Sequence, residues 1–132
     1  MDEATRKLVR DRAGNRCEYC RLPQEYYDLT FHIEHVVATQ HRQDDSPENL
    51  ALACDRCNLH KGTNLTSIDP EGGEIVKLFN PRSDRWENHF DLIGSEIVGS
   101  TASGRTTVRL FKMNCERRLL LRRQLIEEGV EF

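Results

Sequence analysis

The segment that decides the fold runs from residue 17 to residue 62 and opens with Cys17-Glu-Tyr-Cys20. It continues through Phe31-His-Ile-Glu-His35 and Glu48-Asn-Leu50, and it closes with Cys54-Asp-Arg-Cys57-Asn58-Leu-His60-Lys61-Gly62. Two pairs of cysteines, each with a spacing of two residues, therefore enclose a short stretch that is rich in His, Glu and Asn. The pairs and the enclosed polar residues call for separate explanations.

The paired cysteines predict a structural zinc site, because zinc takes four thiolates in a tetrahedron and each CxxC turn presents two of them. The separation of Cys20 from Cys54 is 33 residues, against about 15–20 in a compact zinc ribbon. The excess is the segment with the polar residues. Buried thiols and redox pairs are the alternatives, although no thioredoxin-like βαβ setting supports the second. The fifth cysteine, Cys115, is expected to be a small buried residue of a C-terminal helix.

The length of 132 residues fits one compact domain with an appendage. No run of about 18 apolar residues is present, so neither a transmembrane helix nor a membrane partner is expected. The charged N-terminus also lacks the apolar core of a signal peptide. These features predict a cytoplasmic protein, and thiols that stay reduced there favour metal binding over disulfides.

The net charge of −3 conceals an uneven distribution along the chain. Residues 1–21 have a net charge of +2, residues 22–102 of −8, and residues 103–132 of +3. A basic surface for nucleic acid would therefore have to come from the two ends. The acidic middle suits divalent cations, with solvated surface carboxylates as the simpler explanation.

The pattern of apolar residues predicts an α+β fold. We expect a helix over residues 2–14, a strand over residues 30–35, a second strand that leads into Cys54, and a short helix that ends at Gly62. Beyond residue 66, strands are expected at Ile75–Phe79 and around Trp86–Leu92, with a hairpin that turns near Gly94. Two helices follow Arg105, the second capped by Asn114. The predicted division is 1–66 for the core with its N-terminal helix and 67–132 for an extension that packs on it.

Glu34 and His35 end the predicted strand of the polar stretch, where successive side chains point to opposite faces. The carboxylate can hold a cation while the imidazole faces a water molecule. Hydrolysis of a phosphodiester needs this division, because one group must deprotonate the water near neutral pH and a metal must neutralise the growing charge.

Glu34-His35, Asn49 and Cys54-x-x-Cys57-Asn58-x-x-Lys61 together resemble the HNH endonuclease family in its zinc-stapled form, over about residues 10–65. The resemblance implies a ββα-metal core with a treble-clef-like zinc site of four cysteines. It implies His35 as general base, Glu34 and Asn58 as ligands of the catalytic metal, and Asn49 as the residue that braces the loop and orients His35. Lys61 is expected near the phosphate.

Two residues depart from the name-giving pattern of that family. Glu34 replaces the frequent Asp, and Asn58 replaces the final His. Both keep an oxygen donor for a hard cation such as Mg²⁺ or Mn²⁺, with Ni²⁺ or Zn²⁺ as alternatives. Residues two apart on a helix point about 200° apart, so Asn58 and His60 cannot both face the metal, and Asn58 is favoured over His60 as the ligand. His32, His41 and His89 are expected in structural or solvated roles.

The candidate DNA contacts are the following five residues: Arg10, Arg16, His60, Arg82 and Arg85. Arg105 and a helix with Arg117, Arg118, Arg122 and Arg123 are further candidates. Segments around Phe79–Arg82, Arg85–Phe90 and Gly104–Val108 resemble an extension found in a subgroup of bacterial HNH proteins, and this likeness implies no role.

The expected function is metal-dependent hydrolysis of DNA, with double-stranded DNA as the partner. A non-catalytic, zinc-stapled nucleic-acid-binding module is the alternative. One active site cleaves one strand, so a double-strand break would need a homodimer or two successive cleavage events. Restriction, homing, phage defence and phage packaging all remain open as biological roles.

Overall fold

The structure is a computed structural model that describes residues 1–132. Four α-helices, six short strands and three 3₁₀ turns make up the regular structure. In chain order the helices and strands are α1 (Glu3–Arg12), β1 (His32–His35), β2 (Leu50–Ala53), α2 (Asp55–Lys61), β3 (Thr66–Ile68), β4 (Ile75–Lys77), β5 (Phe90–Ile93), β6 (Glu96–Gly99), α3 (Ala102–Leu110) and α4 (Glu116–Glu127). None of the helices has the length and apolar character that a membrane crossing requires.

The chain forms two compact units. Unit 1 comprises Met1–Asn64 together with Asn80–Ser83, and unit 2 comprises Leu65–Phe79 together with Asp84–Phe132. The packing of the extension on the core, which the sequence predicts, stays a prediction.

Unit 1 contains the predicted ββα arrangement. β1 and β2 form an antiparallel pair in which Glu34 lies opposite Ala51 and His35 opposite Leu50. All four residues of β2 are buried, so this strand forms the centre of the small core. α2 follows at once, with Cys54 as its N-cap and Gly62 at its end, where φ is +53°. The expected α+β core is confirmed.

The first cysteine pair lies in a tight turn ahead of β1. The amide of Arg21 donates to the carbonyl of Cys17, and the amide of Cys17 donates to the carbonyl of Leu22, both at 2.9 Å. Arg21 adopts a φ of +67° to close this turn. The turn is fastened to β2, because the amide of Glu18 donates to Leu52 at 2.8 Å and the Glu18 carboxylate accepts from the Leu52 amide.

α1 begins at a capped residue and is tied to the entrance of β2. The Asp2 carboxylate accepts from the amide of Thr5, which satisfies a free donor of the first turn. Val9 is fully buried. At the other end of the helix, the Arg12 guanidinium donates to the carbonyls of Pro47 and Leu50, at 3.0 and 2.7 Å. The predicted N-terminal helix is confirmed.

Unit 2 contains two antiparallel hairpins, β3–β4 and β5–β6, and the helices α3 and α4. Two glycines of unit 2 let backbone segments approach closely. A Cβ on Gly99 of β6 would lie 2.2 Å from the amide nitrogen of Arg105 in α3, and a Cβ on Gly104 of α3 would lie 2.1 Å from the carbonyl oxygen of His89, the residue before β5. Side chains at either position would force the backbone apart. The hairpin that the sequence predicts around Gly94 is confirmed.

Three predictions for the extension are wrong. Trp86 lies in a 3₁₀ turn ahead of β5 rather than in a strand, although its ring packs on Phe90 with a centroid separation of 5.0 Å. The N-cap of α4 is Cys115 and not Asn114. The Asn114 amide instead bonds both backbone groups of Ile97, at 2.9 and 2.7 Å. Cys115 is exposed, not buried.

The predicted basic patch on α4 is also wrong for two of its four arginines. Arg118 and Arg122 are buried and face inward. Arg118 donates to the carbonyl of Phe111 at 2.7 Å, and Arg122 donates to the carbonyls of Ser95 and Met113 at 2.7 and 2.8 Å. Their guanidinium groups therefore hold the backbone of unit 2 and are not available to phosphates.

Candidate metal centre and active site

The four paired cysteines meet in one buried cluster. Their sulfur atoms all lie within 4.8 Å of one another, and Sγ of Cys20 is 3.7 Å from Sγ of Cys54. A zinc ion with Zn–S bonds of about 2.3 Å has S···S edges of about 3.8 Å in a regular tetrahedron. Amides also donate to sulfur in both pairs, from Cys20 to Cys17 at 3.5 Å and from Cys57 to Cys54 at 3.4 Å. The cluster is a metal site suited to zinc.

The protonation of these thiols depends on the metal. Burial raises the pKa of Cys17 and Cys57 well above the ordinary value for a thiol, so without an ion these two sulfurs keep their protons. A metal ion displaces the protons when it binds, because the thiolate is the ligand. The stability of the site is therefore linked to metal occupancy.

His35 lies at the end of β1 and is half-buried. Its Nε2 is 2.8 Å from Oδ1 of Asp45, a residue of the loop that joins β1 to β2. The other ring nitrogen, Nδ1, has no partner within the chain. His35 is thus held on one side and open on the other, as a group that exchanges protons with water must be.

Glu34 points away from His35, into the interior of unit 1, and is 7% exposed. The Tyr19 hydroxyl donates to its Oε1, and Nζ of Lys61 lies 3.1 Å from its Oε2. Burial raises the pKa of the Glu34 carboxyl, and the neighbouring ammonium of Lys61 opposes that rise. The carboxylate and the ammonium form a buried ion pair with Tyr19 beneath the strand.

Lys61 is as deeply buried as Glu34, at 2% exposed. Besides Glu34 it donates to the carbonyl of Val36 at 2.9 Å and to the carbonyl of His35 at 3.3 Å. The resemblance implies that Lys61 lies beside a phosphate. An amine that three oxygens of the protein enclose does not fit that role. Lys61 instead fastens the last turn of α2 to the end of β1.

Asn49 is buried and braces the loop between the strands. Its side chain bonds both backbone groups of Val37, at 2.9 and 3.0 Å, and donates to the carbonyl of Asp44 at 2.9 Å. The amide of Val36 donates to the carbonyl of Asn49 at 2.8 Å. None of these bonds reaches the His35 ring, so any influence of Asn49 on that ring is indirect.

Asn58 occupies α2 one turn before Lys61, and residues three apart on a helix are neighbours on its surface. It is half-buried, and its side-chain amide has no hydrogen-bond partner within the chain. A carboxylate has about four lone-pair positions, of which Tyr19 and Lys61 use two at Glu34. Glu34 and Asn58 both carry oxygen atoms of the type that hard cations such as Mg²⁺ and Mn²⁺ prefer.

The five candidate DNA contacts differ in their availability. Arg82 forms an ion pair with Glu18 within unit 1, which leaves its predicted phosphate contact without support. Arg16 donates to the carbonyl of Arg21 at 3.2 Å. Arg10 and His60 are half-buried, and Arg85 is exposed. In unit 2, Arg105 pairs with Asp69 through two nitrogens and also with Glu71.

The sequence did not predict two contacts of the site, the one between Tyr19 and Glu34 and the one between Asp45 and His35. Tyr19 lies inside the first CxxC turn, and an aromatic residue between two ligands is not by itself a sign of a contact to a distant carboxylate. Asp45 lies in a polar loop without periodicity, where acidic residues are ordinary. Only the fold brings Tyr19 to Glu34 and Asp45 to His35.

A cluster of four cysteines that clamps a β-hairpin to a helix, with a half-buried histidine at the end of the first strand, is the arrangement of an HNH domain. Residues 17–64 match the family model described as HNH endonuclease. Residues 17–64 therefore form a domain of the HNH endonuclease family, and this domain suggests a function related to nucleic acids.

The chain is also similar to a curated bacterial protein, the Septu protein PtuB of Bacillus thuringiensis. The two are 28% identical over 120 residues, which cover 86% of this chain. The chain spans 42% of the length of that relative. No solved structure matches this chain.

The cysteine cluster predicts one zinc ion per chain. Cys57→Ser should lose most of the bound zinc and unfold at a temperature at least ~10 °C lower, because the metal links the turn of the first cysteine pair to α2. Elemental analysis and thermal unfolding measure both quantities. Cys115→Ser is the matched control, since Cys115 is exposed and outside the cluster. Equal zinc content in the two variants would contradict the assignment.

The enclosed amine of Lys61 predicts a large effect on stability. Lys61→Met keeps the length of the side chain but leaves Glu34 buried without its partner, which should lower the free energy of unfolding by about 3–5 kcal/mol. Urea unfolding of the zinc-loaded protein measures this change. Lys7→Met removes an exposed amine that pairs with Asp11 on α1, and should change stability little. A similar small effect in both variants would show that Lys61 is not structural.

Proposed function

We propose that this protein is a metal-dependent endonuclease that hydrolyses DNA phosphodiester bonds. The observation that supports the proposal most directly is the state of His35: a half-buried imidazole at the end of β1, fixed through Nε2 and open at Nδ1, within an HNH domain. Imidazole is the side chain suited to accept a proton near neutral pH.

In the proposed mechanism the residues of unit 1 have distinct tasks. His35 accepts a proton from the water that attacks the phosphorus atom. Lys61 holds the carbonyls of His35 and Val36, so the strand end that carries the base is fixed to α2. Asn49 holds the loop that follows, through Val37 and Asp44. Lys61 and Asn49 therefore hold the backbone at His35 and directly after it.

Glu34 and Asn58 are the proposed ligands of a catalytic cation, which is Mg²⁺ or Mn²⁺ by the hardness of the oxygen donors. When bound, such a cation supplies positive charge to the phosphate and to the leaving O3′. Zinc in the cysteine cluster takes no part in the chemistry and keeps α2 in register with the hairpin. Because each chain has one such site, one chain makes one nick.

The alternative function is a zinc-stapled nucleic-acid-binding module without catalysis. One observation favours it: both oxygens of Glu34 are engaged by Tyr19 and Lys61, and the carboxylate is almost fully buried. A module of this kind would bind DNA and would not need His35.

Nicking of a supercoiled plasmid separates the two functions. With Mg²⁺ or Mn²⁺, His35→Ala should reduce the rate of cleavage at least ~100-fold, because a general base contributes about 10²–10⁴-fold. DNA binding and thermal stability should persist. His32→Ala is the matched control, because His32 is an exposed imidazole on the same strand. A wild-type protein that cleaves with neither metal, and binds DNA as tightly as His35→Ala, would establish the binding module.

The role of Asn58 is tested by metal binding. Asn58→Ala should weaken the binding of Mn²⁺ to the zinc-loaded protein at least ~10-fold and abolish cleavage, with little loss of stability because the amide has no partner. Electron paramagnetic resonance reports free Mn²⁺ directly. Leu59→Ala, at the next and largely exposed position of α2, is the control. Unchanged Mn²⁺ affinity in Asn58→Ala would exclude it as a ligand.

A further inference from the structure

We infer that Asp45 is a positioning residue for His35: it fixes the proton of the ring on Nε2 and so leaves Nδ1 as the atom that accepts a proton from water. The inference rests on the proposed function, in which His35 is the general base. The contact itself is a separate structural statement and can be tested without any cleavage.

The geometry of the contact requires a particular tautomer. A carboxylate only accepts hydrogen bonds, and a neutral imidazole has one donor and one acceptor nitrogen. Because Oδ1 of Asp45 lies 2.8 Å from Nε2, that nitrogen must carry the hydrogen. Nδ1 then has a free lone pair, and it has no partner within the chain. The bond on one nitrogen sets the state of the other.

The backbone on either side of Asp45 is fixed, so the contact does not depend on the strength of an exposed pair. The carbonyl of Asp44 accepts from the Asn49 amide at 2.9 Å. The Asp44 carboxylate accepts from the amide and the hydroxyl of Ser46, at 3.0 and 2.6 Å. The backbone amide of Asn49 in turn donates to the carbonyl of Ser46 at 2.9 Å. The hydrogen bonds of Asp44, Ser46 and Asn49 thus hold the loop in the conformation that places Asp45 beside His35.

This network gives Asn49 an indirect part in orienting the base. Asn49 makes no bond to the ring, but it bonds to Val37, two residues after His35, and to Asp44, one residue before Asp45. It therefore joins the two backbone segments that carry the imidazole and the carboxylate. The Asp45 side chain is 69% exposed, so its ion pair with His35 contributes little to the free energy of folding. The role that we infer for Asp45 is therefore to orient the His35 ring.

The first test measures the tautomer by ¹⁵N NMR of the zinc-loaded protein at pH ~8.5, above the ordinary range of imidazole titration. His35→Gln identifies the His35 signals. In the wild type the proton should reside on Nε2, and in Asp45→Ala the Nδ1 signal should move toward the tautomer mixture of a free imidazole. A proton on Nδ1 in the wild type, or an unchanged signal in Asp45→Ala, would overturn the inference.

The second test separates turnover from binding. Asp45→Ala should lower kcat at least ~10-fold while the Kd for DNA stays the same or falls, since a negative charge is removed. Glu48→Ala removes a charge from the same loop without a contact to His35 and should retain the kcat of the wild type. A kcat for Asp45→Ala within about twofold of the wild type would also overturn the inference. If the wild type does not cleave DNA, the proposed function fails and the tautomer measurement alone decides the role of Asp45.

Discussion

The convergence of four sulfur atoms is the constraint on which the site of unit 1 depends. α2 has only seven residues, and a helix of this length is marginal in isolation because nucleation is costly. The cysteine cluster fixes its first turn, and Lys61 fixes its last turn to the end of β1. Asn58 lies between these two anchors. The orientation of its amide is therefore decided by contacts that Asn58 does not make.

The same cluster explains the burial of Glu34. Tyr19 belongs to the first cysteine turn, so closing the cluster brings its hydroxyl to the carboxylate. Lys61 arrives from the other side on α2. A buried ion pair is weak evidence for net stability, because desolvation offsets much of the attraction. It does, however, penalise any arrangement in which either partner loses the other, and it thereby specifies one packing of strand, turn and helix.

The sequence was sufficient for features that depend on local spacing and insufficient for those that depend on tertiary contacts. The cysteine pairs, β1 and the end of α2 at Gly62 follow from short-range patterns, and each was predicted. The burial of Lys61 could not be predicted, because a lysine near the end of a helix is ordinarily solvated. Arg118 and Arg122 misled for a related reason: a long side chain on a leucine-rich helix can reach inward to carbonyls as readily as outward to phosphates.

The distribution of satisfied and unsatisfied polar groups separates support from chemistry within the motif. Asn49, Glu34 and Lys61 are buried, and each has several partners within unit 1. Nδ1 of His35, at the end of β1, and the side-chain amide of Asn58, on α2, have none, and both residues are half-buried. Leaving these two groups without protein partners adds nothing to the rigidity of the fold, because they then form hydrogen bonds only with water. The proposed hydrolysis would use both, with the lone pair of His35 as proton acceptor and the oxygen of Asn58 as a ligand for a cation.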